Sequence, residues 1–124
     1  MMNYSFLDIK KKIEQVDFFE VVVSSVRDWD EALDERDSDD FDVAWTNAFE
    51  EMKALSYSSD TDEQSSKCVR EFVFKKIYSL TGSAEVSGYI SDDIGLVVDA
   101  ALKSCDSEWV ENIFEVYCSG RFPV

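Results

Sequence analysis

Only four glycines and a single proline, Pro123, punctuate a chain of 124 residues. A sheet with tight turns needs more of both, because glycine supplies positive φ and proline pre-sets turn geometry. The usage therefore predicts long helices joined by short polar loops. Apolar spacing agrees. Phe6, Ile9, Ile13 and Val16 fall on one helical face, and Ser5 with Asp8 has capping-box spacing. Phe18, Val22, Val26, Trp29 and Leu33 form a second stripe, all within about 40° of one line at ~100° per residue. That stripe predicts one continuous helix. The triplet Val21-Val22-Val23 also suits a short strand, but the stripe runs on past it, which selects the helix.

A third helix is expected from about Ser38, with Phe41, Trp45, Phe49, Met52 and Leu55 facing inward. After the loop SYSSDT, Thr61 and Gln64 have capping-box spacing, and Val69, Val73, Ile77 and Leu80 mark a fourth stripe closed by Thr81-Gly82-Ser83. Between Ala84 and Ile90 only a short helical turn is expected. Ser91-Asp92-Asp93 reads as the N-cap and first turn of the next helix, which carries Ile94, Val98, Ala101, Leu102 and Cys105. The last helix should run from about Ser107 to Cys118, with Trp109, Ile113, Val116 and Tyr117 inward and Ser119-Gly120 as its stop. No repeat, low-complexity tract or domain boundary interrupts the pattern. The expected fold is all-α: a single helical domain over residues 1–124, a bundle of about six helices.

The 45% hydrophobic and 14% aromatic content supplies a core and excludes intrinsic disorder. With 27 acidic against 12 basic residues, the formal charge is −15. That excludes direct binding to nucleic acid or to an anionic membrane, since phosphate contacts need Lys and Arg, and it favours basic partners. The basic runs, Lys10 to Lys12 and Lys67 to Lys76, are expected to answer acids within the fold. Cys68, Cys105 and Cys118 show no CxxC spacing and an odd total, so buried, inert thiols in a reducing cytoplasm are expected. The N-terminal segment lacks a signal-peptide apolar run, and no stretch approaches a membrane span. A cytoplasmic location follows as the expectation.

Histidine is absent, which removes the commonest general base and metal ligand and every Ser-His-Asp or Cys-His arrangement. There is no Walker motif, GxGxxG or HExxH. Asp28-Trp29-Asp30 and Asp37-Ser38-Asp39 have calcium-loop spacing but lack the glycine and the bidentate glutamate that such a loop requires. A carboxylate acid/base pair could be drawn almost anywhere in so acidic a chain, and nothing singles one out. No catalytic residue, metal ligand or cofactor is expected, and the protein is not expected to be an enzyme.

What remains is the segment RDWDEALDERDSDDFD, Arg27 to Asp42, with nine acids in sixteen positions. Asp39, Asp40 and Asp42 suit the first turn of the third expected helix, where the macrodipole favours anions by about 0.3–1 kcal/mol each. Asp37 and Ser38 suit a loop and cap. The others sit at the C-terminal end of the second expected helix, where the dipole disfavours them. Asp30 and Asp34 are four apart, as are Glu31 and Glu35, each pair destabilising by about 0.2–0.5 kcal/mol. Arg27 and Arg36 offer the only local relief. Charge set against local rules points to a use elsewhere, although a plain solvated face remains the other reading. The expected partner-binding residues are Asp28, Asp30, Glu31, Asp34, Glu35, Asp37, Asp39, Asp40 and Asp42. They would meet a basic surface, since carboxylates accept bidentate hydrogen bonds from Arg and can imitate phosphates. Phe19 and Tyr57 fit no inward stripe, so each is either an exposed anchor beside this face or a core residue of a neighbouring contact.

The run GYISDDIGLVVDAAL (Gly88 to Leu102) and the helical run DDFDVAWTNAFEEM before it resemble the small, acidic, mostly helical immunity proteins of bacterial contact-dependent growth inhibition and related polymorphic toxin systems. The resemblance carries no diagnostic motif and transfers no site residue. It implies a cytoplasmic protein, encoded beside a toxin, that neutralises the toxin's C-terminal domain by tight binding. Such domains are commonly basic nucleases, which matches the charge argument. The alternative is a phage-type acidic nucleic-acid mimic that inhibits a host DNA- or RNA-handling protein. That reading predicts acids spread over several elements, and a second acidic group does occur at Asp106, Glu108, Glu111 and Glu115.

Overall fold

The computed structural model describes residues 3–124. Helices α1 (Phe6–Ile13), α2 (Phe18–Ser25), α3 (Trp29–Arg36), α4 (Asp39–Lys53), α5 (Asp60–Thr81), α6 (Ala84–Leu102) and α7 (Glu108–Cys118) follow one another. Among the described residues there is no strand. The all-α bundle expected from sequence is the one found, with seven helices among the described residues instead of about six.

Helix α6 is the axis. It packs along α5 and also meets α1, α4 and α7. Val86, Ile90, Ile94, Val97 and Val98 are all nearly or fully buried, as are its polar Ser87, Ser91, Asp93 and Asp99. A helix enclosed on nearly every side is what an apolar perimeter dictates. Ile9 and Ile13 of α1, Val22 of α2, Val73 and Ile77 of α5, and Phe114 and Tyr117 of α7 complete the core around it.

Four local expectations are corrected. The second expected helix is two. Val26 is extended (φ −98°, ψ 121°) and closes α2, and Asp28 caps α3, its Oδ1 accepting from Glu31 N at 3.2 Å. The apolar stripe survives the break because both pieces turn it to the core. Conversely, α6 runs unbroken through Ser91-Asp92-Asp93. Its true N-cap is Ser83, which accepts from Val86 N at 3.1 Å. The Ser87 and Ser91 hydroxyls donate back to the carbonyls of Ser83 and Gly88, a bond compatible with a helix interior. The cap of α5 is Ser59 accepting from Asp62 N, with Thr61 already inside the first turn. Finally, Val16, Phe49 and Leu55, expected inward, are exposed; Val16 and Leu55 lie beyond the ends of α1 and α4.

The expected stops hold. Gly82 ends α5 with φ +68°, a left-handed conformation that glycine adopts without penalty. Ser5 and Asp8 form the reciprocal capping box of α1.

A buried carboxylate hub beneath an exposed acidic ridge

Two carboxylates of α6 are buried, and both are satisfied. Asp93 is fully enclosed. It accepts a bidentate pair from Arg36 (2.7 and 2.8 Å), a bond from Trp45 Nε1 (3.0 Å) and one from the Tyr117 hydroxyl. Arg36 itself is stacked among Phe41 (4.4 Å), Phe122 (5.0 Å) and Tyr89 (5.4 Å). Burial opposes its charge, but Asp93 and Tyr117 outweigh burial and raise the Arg36 pKa. Arg36 Nε has no hydrogen-bond partner; the negative ring faces around the guanidinium compensate in part. Burial, then Asp93, pushes the Tyr117 hydroxyl well above its ordinary value. One turn and a half further on, Asp99 accepts from Ser66 (2.6 Å), Tyr57 (2.9 Å) and Arg70 (3.3 Å). Arg70 reaches it by crossing α6 at Gly95, where any Cβ would collide with the guanidine chain.

The acids of α3 and α4 have the opposite surroundings. Asp28, Asp30, Glu31, Asp34, Glu35, Asp37, Asp39, Asp40 and Asp42 are all exposed. None forms an ion pair among the described residues. Of the two basic runs, the second pairs within the fold as expected, Lys67 with Glu63, Lys75 with Glu71 and Lys76 with Glu20. Lys10, Lys11 and Lys12 instead form no ion pair among the described residues and stand in the last turn of α1, where the dipole favours cations. Arg36, read from sequence as relief for these acids, points inward to Asp93.

The split of the second helix changes the local electrostatics. Asp28, Asp30 and Glu31 now occupy the N-cap and first turn of α3, where the dipole favours them. Asp39, Asp40 and Asp42 stand in the first turn of α4 as expected, and Asp37 accepts from the Tyr89 hydroxyl at 2.7 Å. Asp34 and Glu35, near the C-terminal end of α3, and Asp37 at its C-cap are left against the dipole of that helix, Asp37 with the Tyr89 hydroxyl as a donor. The like-charge pairs Asp30/Asp34 and Glu31/Glu35 remain on one helix.

Phe41 divides two recesses along this ridge. One, of about 750 Å³, lies between α3, α7 and the C-terminal segment; Asp28, Glu31 and Glu35 are on its rim, and Trp109, Ile113 and Phe122 are among its walls. The other, of about 370 Å³, lies between α4 and α6 and is edged by Asp37 and Asp42 together with Glu85 and Asp92. Asp30, Asp34, Asp39 and Asp40 border neither. Sequence reasoning missed Glu85 and Asp92. Asp92 was visible only as a supposed helix cap; its side chain is exposed, and partial desolvation, opposed by Arg70 and Arg36 and aided by Asp93, raises its carboxyl pKa.

Of the two readings of Phe19 and Tyr57, inward contact is the one the structure bears out. Phe19 is a core residue at 1% exposure, and Tyr57 is half-buried with its hydroxyl on Asp99. Exposed aromatic surface lies instead on α4 and α5, at Phe49, Phe72, Phe74 and Tyr78. Of the thiols, Cys105 is buried as expected, whereas Cys68 and Cys118 are exposed because they fall off the inward stripes of α5 and α7. Among the described residues no group of three or more His, Cys, Asp or Glu is arranged to hold a metal ion, and no helix is long and apolar enough to cross a membrane.

A family model described as Immunity protein PIM1 matches residues 8–124 of the chain. No curated protein matches it.

Proposed function

The chain belongs to the Immunity protein PIM1 family, and from that membership we propose that it binds a cognate basic toxin domain, of the nuclease class, through the ridge of Asp28, Asp30, Glu31, Asp34, Glu35, Asp37, Asp39, Asp40 and Asp42. A toxin-neutralising role follows from the family; the target chemistry and the surface are our reading. The observation that carries it is nine exposed carboxylates on two consecutive helices, with no ion pair among the described residues. Basic side chains that a nuclease directs at phosphates would find carboxylates here in their place. Long-range attraction speeds the encounter and weakens as salt rises. Inhibition then needs no chemistry from this protein: the ridge fills the toxin's active site or covers an adjoining surface that its substrate requires. The cytoplasm, where the toxin would act, is the proposed location. The family match favours this reading over the nucleic-acid mimic.

The test is co-expression with the toxin domain encoded by the neighbouring gene. Wild-type protein should restore growth and bind the catalytically inactivated domain, with affinity falling as salt increases. Glu31→Lys with Asp34→Lys should weaken binding by about 2–5 kcal/mol, as loss of close charge pairs does at interfaces, with an unchanged melting temperature. Unaltered affinity in that folded double variant would remove the ridge from the interface.

A further inference from the structure

The smaller recess, between α4 and α6, is a narrow site cut into the ridge. Its walls are aromatic and each is fixed from behind. Trp45 is held by its bond to Asp93 and by stacking on Phe49 at 5.6 Å. Tyr89 is held by its bond to Asp37. Phe41 lies between Arg36 and the edge of Trp109. Walls already in place lose little side-chain entropy when something enters.

Its charge is one-sided. Asp37, Asp42, Glu85, Asp92 and Asp93 line it against the single cation Arg36. The first turns of α4 and α6 add a partial positive field of about half a charge each, too little to reverse five carboxylates. Asp93 is already saturated by its donors at the floor, whereas Asp42, Glu85 and Asp92 are exposed and free of ion pairs among the described residues. Gly88 completes the lining on α6, and a Cβ there would meet nothing within 4 Å. A glycine inside a helix is destabilising by roughly 0.5–1 kcal/mol relative to alanine, so no packing against a neighbour accounts for it. It leaves the recess open.

We propose that this recess holds one arginine side chain of the toxin domain, its stem against Phe41, Trp45 and Tyr89 and its guanidinium among the rim carboxylates. Arginine fits better than lysine because its planar fork both stacks on aromatic faces and pairs bidentately with carboxylates. A carboxylate-bearing or anionic side chain would face the rim charge unpaired. The inference rests on the toxin-binding reading and deepens it: the ridge attracts, and the recess anchors.

The experiment compares affinities for the catalytically inactivated toxin domain encoded by the neighbouring gene. Gly88→Leu should fill the recess and reduce affinity at least about 30-fold, the scale of an interface hot spot, with a melting temperature at or above wild type. Asp42→Asn with Glu85→Gln, two exposed and nearly isosteric changes, should reduce it about tenfold and serves if the leucine perturbs the fold. Affinities within threefold of wild type in both variants overturn the recess; if Glu31→Lys with Asp34→Lys still weakens binding, the ridge stands without it. No binding by the wild type overturns the toxin reading and this inference together.

Discussion

Asp93 and Asp42 are the same residue type on facing helices, and both line one recess, yet they have opposite fates. Asp93 sits at 0% exposure under four donor bonds, while Asp42 stands in solvent with no ion pair among the described residues. Asp99 follows the first pattern and the α3 acids follow the second. A buried carboxylate must be fully paired, because desolvating it unpaired is prohibitive. An exposed one carries no such requirement, and its charge stays available to a second molecule. In a chain of net charge −15, burial and pairing thus separate the acids that hold the fold from those open to a partner.

Removing the hub separates the two classes of acid most strongly. Asp93→Ala leaves Arg36 buried without its counter-ion and should reduce stability by about 3–5 kcal/mol, read from denaturant unfolding. Replacing the pair together, Arg36→Met with Asp93→Leu, should cost less than either single change. Equal or larger loss in the double variant would show that the ion pair is a net stabiliser in its own right.

Alkaline pH probes the same contrast at the edge of the recess. The bond to Asp37, then burial, pushes the Tyr89 hydroxyl from 10.0 up to about 12. The folded state therefore keeps this proton where the unfolded chain has released it. Stability from this group is complete below about pH 10 and is lost as pH rises through about 12. Tyr89→Phe should flatten that part of the pH–stability profile, and it should delete one late tyrosinate step in the ultraviolet titration.

Smaller effects separate charge from structure within the ridge. Asp28→Ala removes the α3 cap and should destabilise by about 0.5–2 kcal/mol. Asp28→Ser keeps the cap, so any loss of toxin affinity in that variant belongs to the charge. Asp34→Asn with Glu35→Gln relieves both like-charge pairs and the dipole repulsion and should raise thermal stability slightly, by about 0.4–1 kcal/mol, while lowering toxin affinity. A variant that gained stability at unchanged toxin affinity would mark these two acids as idle surface.

Much of the fold was legible because its signals are local. Ser5 with Asp8, Gly82, Gly120 and the stripe Val69-Val73-Ile77 each act within one or two turns. The break between α2 and α3 was also written locally, as Asp28 three residues before Glu31, but a continuous apolar stripe concealed it. Ser91-Asp92-Asp93 misled for another reason. Those residues have cap chemistry, and what keeps them helical is contact with distant groups: Arg36 lies 57 positions from Asp93 and Trp45 lies 48 away. The acidic segment could be read directly. Its recesses could not, because Glu85 and Asp92 join Asp37 and Asp42 only once α6 lies beside α4.

The most direct measurement is amide hydrogen exchange of the protein alone and in complex with the inactivated toxin domain. Binding through the ridge and the recess predicts slowed exchange across α3 and the first half of α4, extending to Glu85–Asp92 on α6. Unchanged exchange there, with slowing confined to the groove between α1 and α5 near Phe6, Cys68 and Phe72, would contradict it and move the interface to the opposite kind of surface, apolar and weakly charged.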